Sequence, residues 1–340
     1  MCIRDRDEGF THYSSIWGFM ELREAVSEKL KREQGIDVDA ESEVLITAGA
    51  QPAFFASCQT IINPGDEVIV HDPFYPSYEV TLRVVGAKII RVPMKKQEGF
   101  TLDPHEIEER VSDKTKAIVI ISPNNPTGTI LDKDTLKAIS EISEDHNLVV
   151  ISDEIYEKIV YDGEKHVSIA SFDNMKERTI IINSFSKTYA MTGWRVGFVV
   201  ADKEVMKHIV KVHHTMNVCA SSISQKAALA ALKGPQDCVE QMVREYNRRR
   251  EEIIRLANKI PGFKCHIPKG AFYIFPNVEF LKMSSMELAK YLIKEARVVT
   301  VPGSAFGPTG EGHLRLSYAT SLDNIKEGML RIKEAIEKLG

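Results

Sequence analysis

The sequence predicts an α/β fold: a large unit whose mostly parallel seven-stranded sheet lies between helices, and a smaller α+β unit at the C-terminal end. Three observations carry this. Short Ile/Val-rich runs alternate with helix-period stretches. The runs are continuously apolar, as in strands covered on both faces. After about residue 235 the alternation stops and a long helix rich in Arg and Glu begins. A chain of 340 residues also exceeds what one core usually organises. The expected boundaries are 18–235 for the large unit and 236–340, with 1–17, for the small one.

Residues 1–6 show no helical period and no secretory core, and read as a non-native leader. A helix pattern opens at Phe19, with Phe19, Leu22, Ala25, Val26 and Leu30 on one face. Strands are expected at Val44–Thr47, Glu67–His71, Lys88–Val92, Ala117–Ser122, Leu148–Ser152, Thr179–Asn183 and Val196–Val200. Amphipathic helices fall between them, such as Thr135–His146 with Leu136, Ile139 and Ile142 at spacing three. In the small unit a Val239–Ile260 helix leads into Phe263–His266, Ala271–Phe275, a helix near Met286–Glu295, Leu314–Tyr318 and a terminal helix.

Lys and Arg number 44 against 48 Asp and Glu, a net charge of −4. So mixed a surface argues against nucleic acid or an anionic membrane as partner. No apolar run approaches the roughly 18 residues that span a bilayer. Cys2, Cys58, Cys219, Cys238 and Cys265 are odd in number and hold no C-x-x-C pair. This argues against a disulfide framework or a metal site and fits a reducing cytoplasm.

In open α/β sheets ligands sit past the carboxyl ends of strands. Five expected strands are followed at once by polar or glycine-bearing residues: Gly49-Ala50-Gln51, Phe74-Tyr75, Asn124 to Gly128, Asp153 with Tyr156, and Ser184 to Lys187. On a parallel sheet these converge on one edge and describe a pocket.

Each residue there has a plain reading beside a chemical one. Lys187 is either a surface lysine at a helix start or an amine whose pKa is lowered by burial for Schiff-base chemistry. Asp153 is either a helix cap or a fixed anion that keeps a heteroaromatic nitrogen protonated. Tyr156 is core packing or a donor to a phenolic oxygen on that ring. Ser184, Ser186 and Arg195, with the amides after Gly49, make a dianion cradle; Gly49-Ala50 alone is an ordinary turn. Tyr75 is a loop anchor or a stacking platform. Asn125 completes a turn or donates to a ring oxygen or a carboxylate. Arg315, inside an apolar strand, needs either a protein carboxylate or a ligand carboxylate.

Together the motifs resemble the class I/II aminotransferases, the fold-type I enzymes that use pyridoxal 5′-phosphate (PLP). Ser184-Phe185-Ser186-Lys187-Thr188-Tyr189-Ala190-Met191-Thr192-Gly193-Trp194-Arg195-Val196-Gly197 is similar to the lysine-attachment signature of that family. Ser122 to Gly128, Ser152 to Tyr156, Lys269-Gly270-Ala271-Phe272-Tyr273 and His313 to Ala319 follow in matching order. The resemblance runs from about Thr11 to the C-terminus. It implies that Lys187 carries the cofactor as a Schiff base and shuttles the substrate proton, that Asp153 pairs with the pyridine nitrogen, and that Tyr156 and Asn125 meet the phenolic oxygen. Tyr75 would stack on the ring. Ala50, Gln51, Ser184, Ser186 and Arg195 would hold the phosphate, and Arg315 with Asn125 the substrate α-carboxylate. The same resemblance implies a homodimer in which Tyr13 reaches the partner's phosphate. The amino group of an L-amino acid would pass to a 2-oxo acid, 2-oxoglutarate by analogy, in a ping-pong cycle. A β-eliminating lyase or a non-catalytic PLP-binding module on the same scaffold are the competing readings.

Two departures from the family pattern matter. Relatives of this type carry some tens of residues before the Tyr13 region, which the sequence lacks, and weaker activity is expected than with that segment restored. Gln51 stands where aspartate-preferring relatives place a Lys, so strict dicarboxylate specificity is not expected. Ile16, Trp17, Gly18 and Tyr75 would leave room for an apolar or aromatic side chain.

Overall fold

The computed structural model describes residues 2–339. Strands β1 (Val44–Thr47), β2 (Glu67–Asp72), β3 (Lys88–Pro93), β4 (Thr115–Ile121), β5 (Val149–Asp153), β6 (Thr179–Ser184) and β7 (Gly197–Val200) form one sheet, in the order β1-β7-β6-β5-β4-β2-β3. All lie where the sequence places them, within two residues at either end. Pairs from β6 across to β3 are parallel, and β7 runs antiparallel to both β6 and β1. Hence β1 is parallel to β6, and every strand but β7 ends at the same edge. Each residue of β2 and β6 is buried, as continuous apolar runs require.

The helix Lys133–Asp145 shows how local chemistry sets an element. The Asp132 carboxylate accepts from the Thr135 amide at 2.8 Å, capping the open first turn. Leu136 and Ile139, at helical spacing, then pack with Ile118 and Ile120 of β4.

The small unit is built on β8 (Tyr273–Ile274), β9 (Val301–Pro302) and β10 (Leu314–Ser317), antiparallel in the order β8-β10-β9. Helices Asp237–Ala257, Ser285–Glu295 and Leu322–Glu337 accompany them. The expected extended segments are shorter here. Ala271–Phe275 keeps only two strand residues, and Phe263–His266 only a bridge between Lys264 and Asn277. Ala271 sits at φ 57° and Pro276 has no N–H, so the ladder cannot lengthen at either end.

Cys2–Asp7 is helical, although no apolar period announces it. The residues after it pack on the helix Ser222–Lys233: Ser222 Oγ donates to the His12 carbonyl at 2.6 Å and Gln225 Nε2 to Ser14 Oγ at 2.9 Å. That helix lies within 18–235, whereas the expected boundaries group residues 1–17 with the small unit. Among the described residues no helix is long and apolar enough to cross a membrane.

Candidate active site

Asp153 ends β5 between Ile121 of β4 and Ile182 of β6, its register partners. It is 1% exposed. One carboxylate oxygen accepts from the Ile155 amide at 3.0 Å, the bond a simple cap would make, and Tyr78 donates to the carboxylate as well. Neither contact supplies a full charge. Burial therefore outweighs both hydrogen bonds and the more distant Lys187, pushing the carboxyl up to about 6. Such a group calls for a cationic partner.

Lys187 follows β6 on the short turn Phe185–Thr188, whose first residue is preceded by Ser184; the Ser184 hydroxyl accepts from the Ser186 amide at 3.1 Å. Its Nζ stands 5.4 Å from the centre of the Phe272 ring and 5.8 Å from that of Tyr156. Burial first, then the Arg315 guanidinium, pull its pKa down, while Asp153 pulls the other way. This is an amine brought toward its nucleophilic form, not a solvated surface lysine.

Arg315 lies on β10 and closes the opposite wall. Its guanidinium carbon is 4.5 Å from the Tyr273 ring centre and 5.1 Å from that of Phe306. Nη1 donates to Asn125 Oδ1 at 2.9 Å, and the buried Nε has no partner. Among the described residues no carboxylate pairs with Arg315. Of its two expected partners, a ligand carboxylate is the one left.

Tyr75, Asn125, Asp153, Tyr156, Lys187 and Arg315 line one cavity of about 210 Å³, together with Ile121, Ile155 and Tyr273. Tyr75 caps the Pro76–Val84 helix, and the Tyr156 hydroxyl lies 2.9 Å from that of Tyr273. The cradle residues gather where β1, β7 and β6 end. Gly197 of β7 pairs with Thr47 on one side and Ser184 on the other, which sets the Gly49 turn beside the Ser184–Lys187 turn. Gly197 can carry no side chain there: a Cβ would lie 2.7 Å from the Asn183 carbonyl oxygen and 3.0 Å from Gly49 C. Gly49 sits at φ 103°, and the helix Ala50–Ile61 starts without a side-chain cap, so its first amides stay open at Ala50 and Gln51. Arg195 spans the turn, donating to the carbonyls of Thr192 at 3.0 Å and Ala48 at 3.2 Å. The hydroxyls of Ser184 and Ser186 are 2.9 Å apart.

These residues fit PLP on the structure's own terms. An uncompensated buried carboxylate suits a pyridinium nitrogen, open helix amides with two hydroxyls and a guanidinium suit a phosphate, and a lysine of lowered pKa suits an aldehyde.

The structure leaves several expected residues outside the cavity. Tyr13 is 82% exposed and borders a different hollow, with Phe10 and residues 219–223. Ile16, Trp17 and Gly18 do not line the space either. The Trp17 carbonyl accepts from the Ile46 amide at 3.0 Å, which ties this segment to β1, and Gly18 lies against Ile46. Gln51 Nε2 is taken up by Thr81 Oγ1 at 3.2 Å. Three residues without a sequence signal of their own also belong here: Tyr78, one helical turn after Tyr75, on Asp153, Phe272 beside Lys187, and Tyr273 in the cavity wall.

Glu154, Glu157 and His166 also place potential metal-ligating atoms within 4.8 Å of one another. The Lys29 ammonium is 2.6 Å from Glu157, so the protein supplies its own cation there.

The chain matches the family model for aminotransferase class I and II over residues 4–332. The chain belongs to that family. It is 45% identical over 336 residues to an aspartate aminotransferase of Pyrococcus horikoshii, covering 98% of this chain and 85% of that protein. Against aromatic-amino-acid aminotransferase 2 of Thermococcus litoralis the identity is 43% over 334 residues, covering 98% and 86%. The solved aromatic aminotransferase of Pyrococcus horikoshii superposes with a TM-score of 0.96 at 42% identity, covering 99% of this chain and 91% of that one. The protein is a PLP-dependent aminotransferase of fold type I.

Proposed function

We propose that this aminotransferase moves the amino group of an L-amino acid to a 2-oxo acid, in ping-pong order, through the cavity of Lys187, Asp153 and Arg315. The observation that carries the reading is the unpaired Arg315 facing, across one small cavity, an amine of lowered pKa and a buried carboxylate of raised pKa. Bound PLP supplies an electron-withdrawing ring and a place to store the amine. Asp153 holds the ring nitrogen protonated. Tyr156 and Asn125 orient the ring by its phenolic oxygen, Tyr75 covers a face, and Ala50, Gln51, Ser184, Ser186 and Arg195 hold the phosphate. Arg315, with Asn125, fixes the α-carboxylate. Lys187 Nζ would hold the cofactor and move the substrate's α-proton.

Among the described residues no lysine or arginine besides Lys187 and Arg315 lines the cavity, and Gln51 is neutral, which disfavours a strict requirement for a second carboxylate. A donor panel of aspartate, alanine, phenylalanine and tyrosine with 2-oxoglutarate tests this, following keto acid and glutamate together. Donors besides aspartate are expected to turn over. Keto acid and ammonia released without any acceptor would instead mark an eliminating lyase. Lys187→Ala is expected to lower turnover by about 10²–10⁴-fold or more; wild-type rates would remove Lys187 from its role.

Exposed Tyr13 beside an apolar hollow favours a homodimer in which Tyr13 reaches the partner's phosphate. Sedimentation, with a loss of PLP affinity in Tyr13→Phe, checks that. The free thiols Cys58, Cys219, Cys238 and Cys265 favour a cytoplasmic location. A boundary near residue 235 fits the change of architecture there, and the contacts of His12 and Ser14 with the helix Ser222–Lys233 favour grouping residues 2–17 with the large unit.

A further inference from the structure

Tyr273 has no part in the scheme above, yet it touches both ends of the site. Its hydroxyl is 2.9 Å from the Tyr156 hydroxyl, where either oxygen can donate. Its ring carries the Arg315 guanidinium at 4.5 Å. Both tyrosines are buried, at 6% and 1% exposure. The residue that meets the substrate carboxylate and the residue that meets the cofactor ring are thus joined through one phenol.

We propose that Tyr273 is a positioning residue that couples occupancy of the Arg315 carboxylate site to the hydrogen bond Tyr156 makes with the cofactor. The inference rests on the roles assigned above to Tyr156 and Arg315. A phenol has one proton. When Tyr156 spends its own on the cofactor's ring oxygen, the 2.9 Å contact survives only with Tyr273 as donor. The guanidinium over the Tyr273 ring polarises that phenol and strengthens it as a donor. Tyr156, accepting, becomes a better donor in turn. A ligand carboxylate on Arg315 cancels much of the field, so both hydrogen bonds weaken when the site fills. The cofactor oxygen is then less stabilised as an anion, and its proton is held to higher pH. By linkage a carboxylate binds more tightly to the protonated form. Arg315 also reaches Asn125, so the Tyr273 route is a second arm beside that hydrogen bond.

The test uses the PLP-loaded enzyme and two carboxylates that lack an amino group, succinate and 3-phenylpropanoate. The pH midpoint of the bound cofactor's visible absorbance is measured with and without each, and the carboxylate dissociation constant is measured below and above that midpoint. Tyr273→Phe keeps the ring under Arg315 and removes one oxygen. In this variant the midpoint without ligand is expected to rise, the carboxylate-induced shift to fall below half its wild-type size, and the pH dependence of carboxylate affinity to flatten. Affinity at low pH should stay within about threefold of wild type. In a Tyr156→Phe background, Tyr273→Phe should add nothing.

A wild-type shift in Tyr273→Phe overturns the proposal. So does an added effect in the Tyr156→Phe background, which would mean that Tyr273 acts by another route. Complete loss of carboxylate binding in Tyr273→Phe also overturns it, because the hydroxyl would then belong to the clamp itself. Arg315→Lys separates the two levels: unchanged carboxylate affinity there removes the assigned role of Arg315, whereas lost affinity with an unaltered Tyr273→Phe removes only the coupling. The melting temperature of the cofactor-free variant shows that it folds. Should Tyr273→Phe fail to fold, Tyr156→Phe cuts the same contact from the other side and must itself reduce the shift.

Discussion

Asp153 and Glu154 are adjacent carboxylates at 1% and 0% exposure, yet they titrate in opposite directions. Burial raises both. For Glu154 it is outweighed: His166 Nε2 lies 3.1 Å from one oxygen, while Ser168 and Ser152 donate to the other at 2.6 and 2.9 Å. Asp153 has one amide and the Tyr78 hydroxyl, and burial wins. The chain places a histidine and two hydroxyls around Glu154 and gives Asp153, beside the cavity, one amide and one hydroxyl. An uncompensated buried charge next to a cavity is a functional signal; a compensated one beside it is structure.

The largest effect expected from breaking this contrast is on Glu154. Ser168 and Ser152 each donate to its buried carboxylate, and a hydrogen bond to a charged group is worth about 1.5–3 kcal/mol, so Glu154→Ala should cost about 3–5 kcal/mol in urea unfolding of the cofactor-free protein. A loss below about 1 kcal/mol would mean that these contacts carry little, and the contrast would fail.

Asp153→Asn should do the opposite. Asn keeps an acceptor for the Ile155 amide and sheds the buried charge. The carboxyl moves from 3.8 to about 6 on folding, roughly two units, which corresponds to about 2–3 kcal/mol. Between those two pH values the folded state keeps a proton that the unfolded state has lost, so the wild type loses stability as pH rises through that window. The variant should therefore be more stable than wild type at pH 7, by up to that amount, and equal to it near pH 4. Its transaminase rate should fall by on the order of 10²–10³-fold, as when one preorganised electrostatic partner is removed. Urea midpoints at the two pH values decide it. Equal stability at pH 7 would show that Asp153 is compensated after all.

The large unit was legible because the information was local. Each strand from β1 to β7 is an apolar run with its own turn residues, and parallel pairing then fixes which ends meet. Asp153, Lys187 and Asn125 could be placed from that geometry alone. The small unit yielded less. A two-residue strand such as β8 has no period to detect, and Ala271 at φ 57° does not show in its residue type. Tyr78 and Tyr273 were missed for a related reason: a buried tyrosine reads as core until its hydroxyl partner is known, and the partner of Tyr273 lies 117 positions away. Ile16 and Trp17 were misplaced because their tie to β1 is a backbone hydrogen bond, which no side chain announces.

The smallest effect sharpens the contrast most. Ser168→Ala removes one of the contacts on Glu154 and leaves Ser152 and His166 in place. A hydrogen bond to a charged group is worth about 1.5–3 kcal/mol, and the lower end is expected because the remaining donors close in. The sign with pH is the reverse of that for Asp153. Glu154 is held below its usual range in the folded state, so its contribution is full at neutral pH and is lost as pH falls through its folded value. The deficit of Ser168→Ala and the surplus of Asp153→Asn should accordingly both shrink on acidification, the first because Glu154 stops contributing and the second because wild-type Asp153 regains its proton. Catalysis should stay within about twofold, since Ser168 touches neither cavity nor cofactor site. A clear drop in kcat with stability unchanged would show that Glu154 reaches the chemistry through Asp153, and that the two neighbours form one electrostatic unit instead of two.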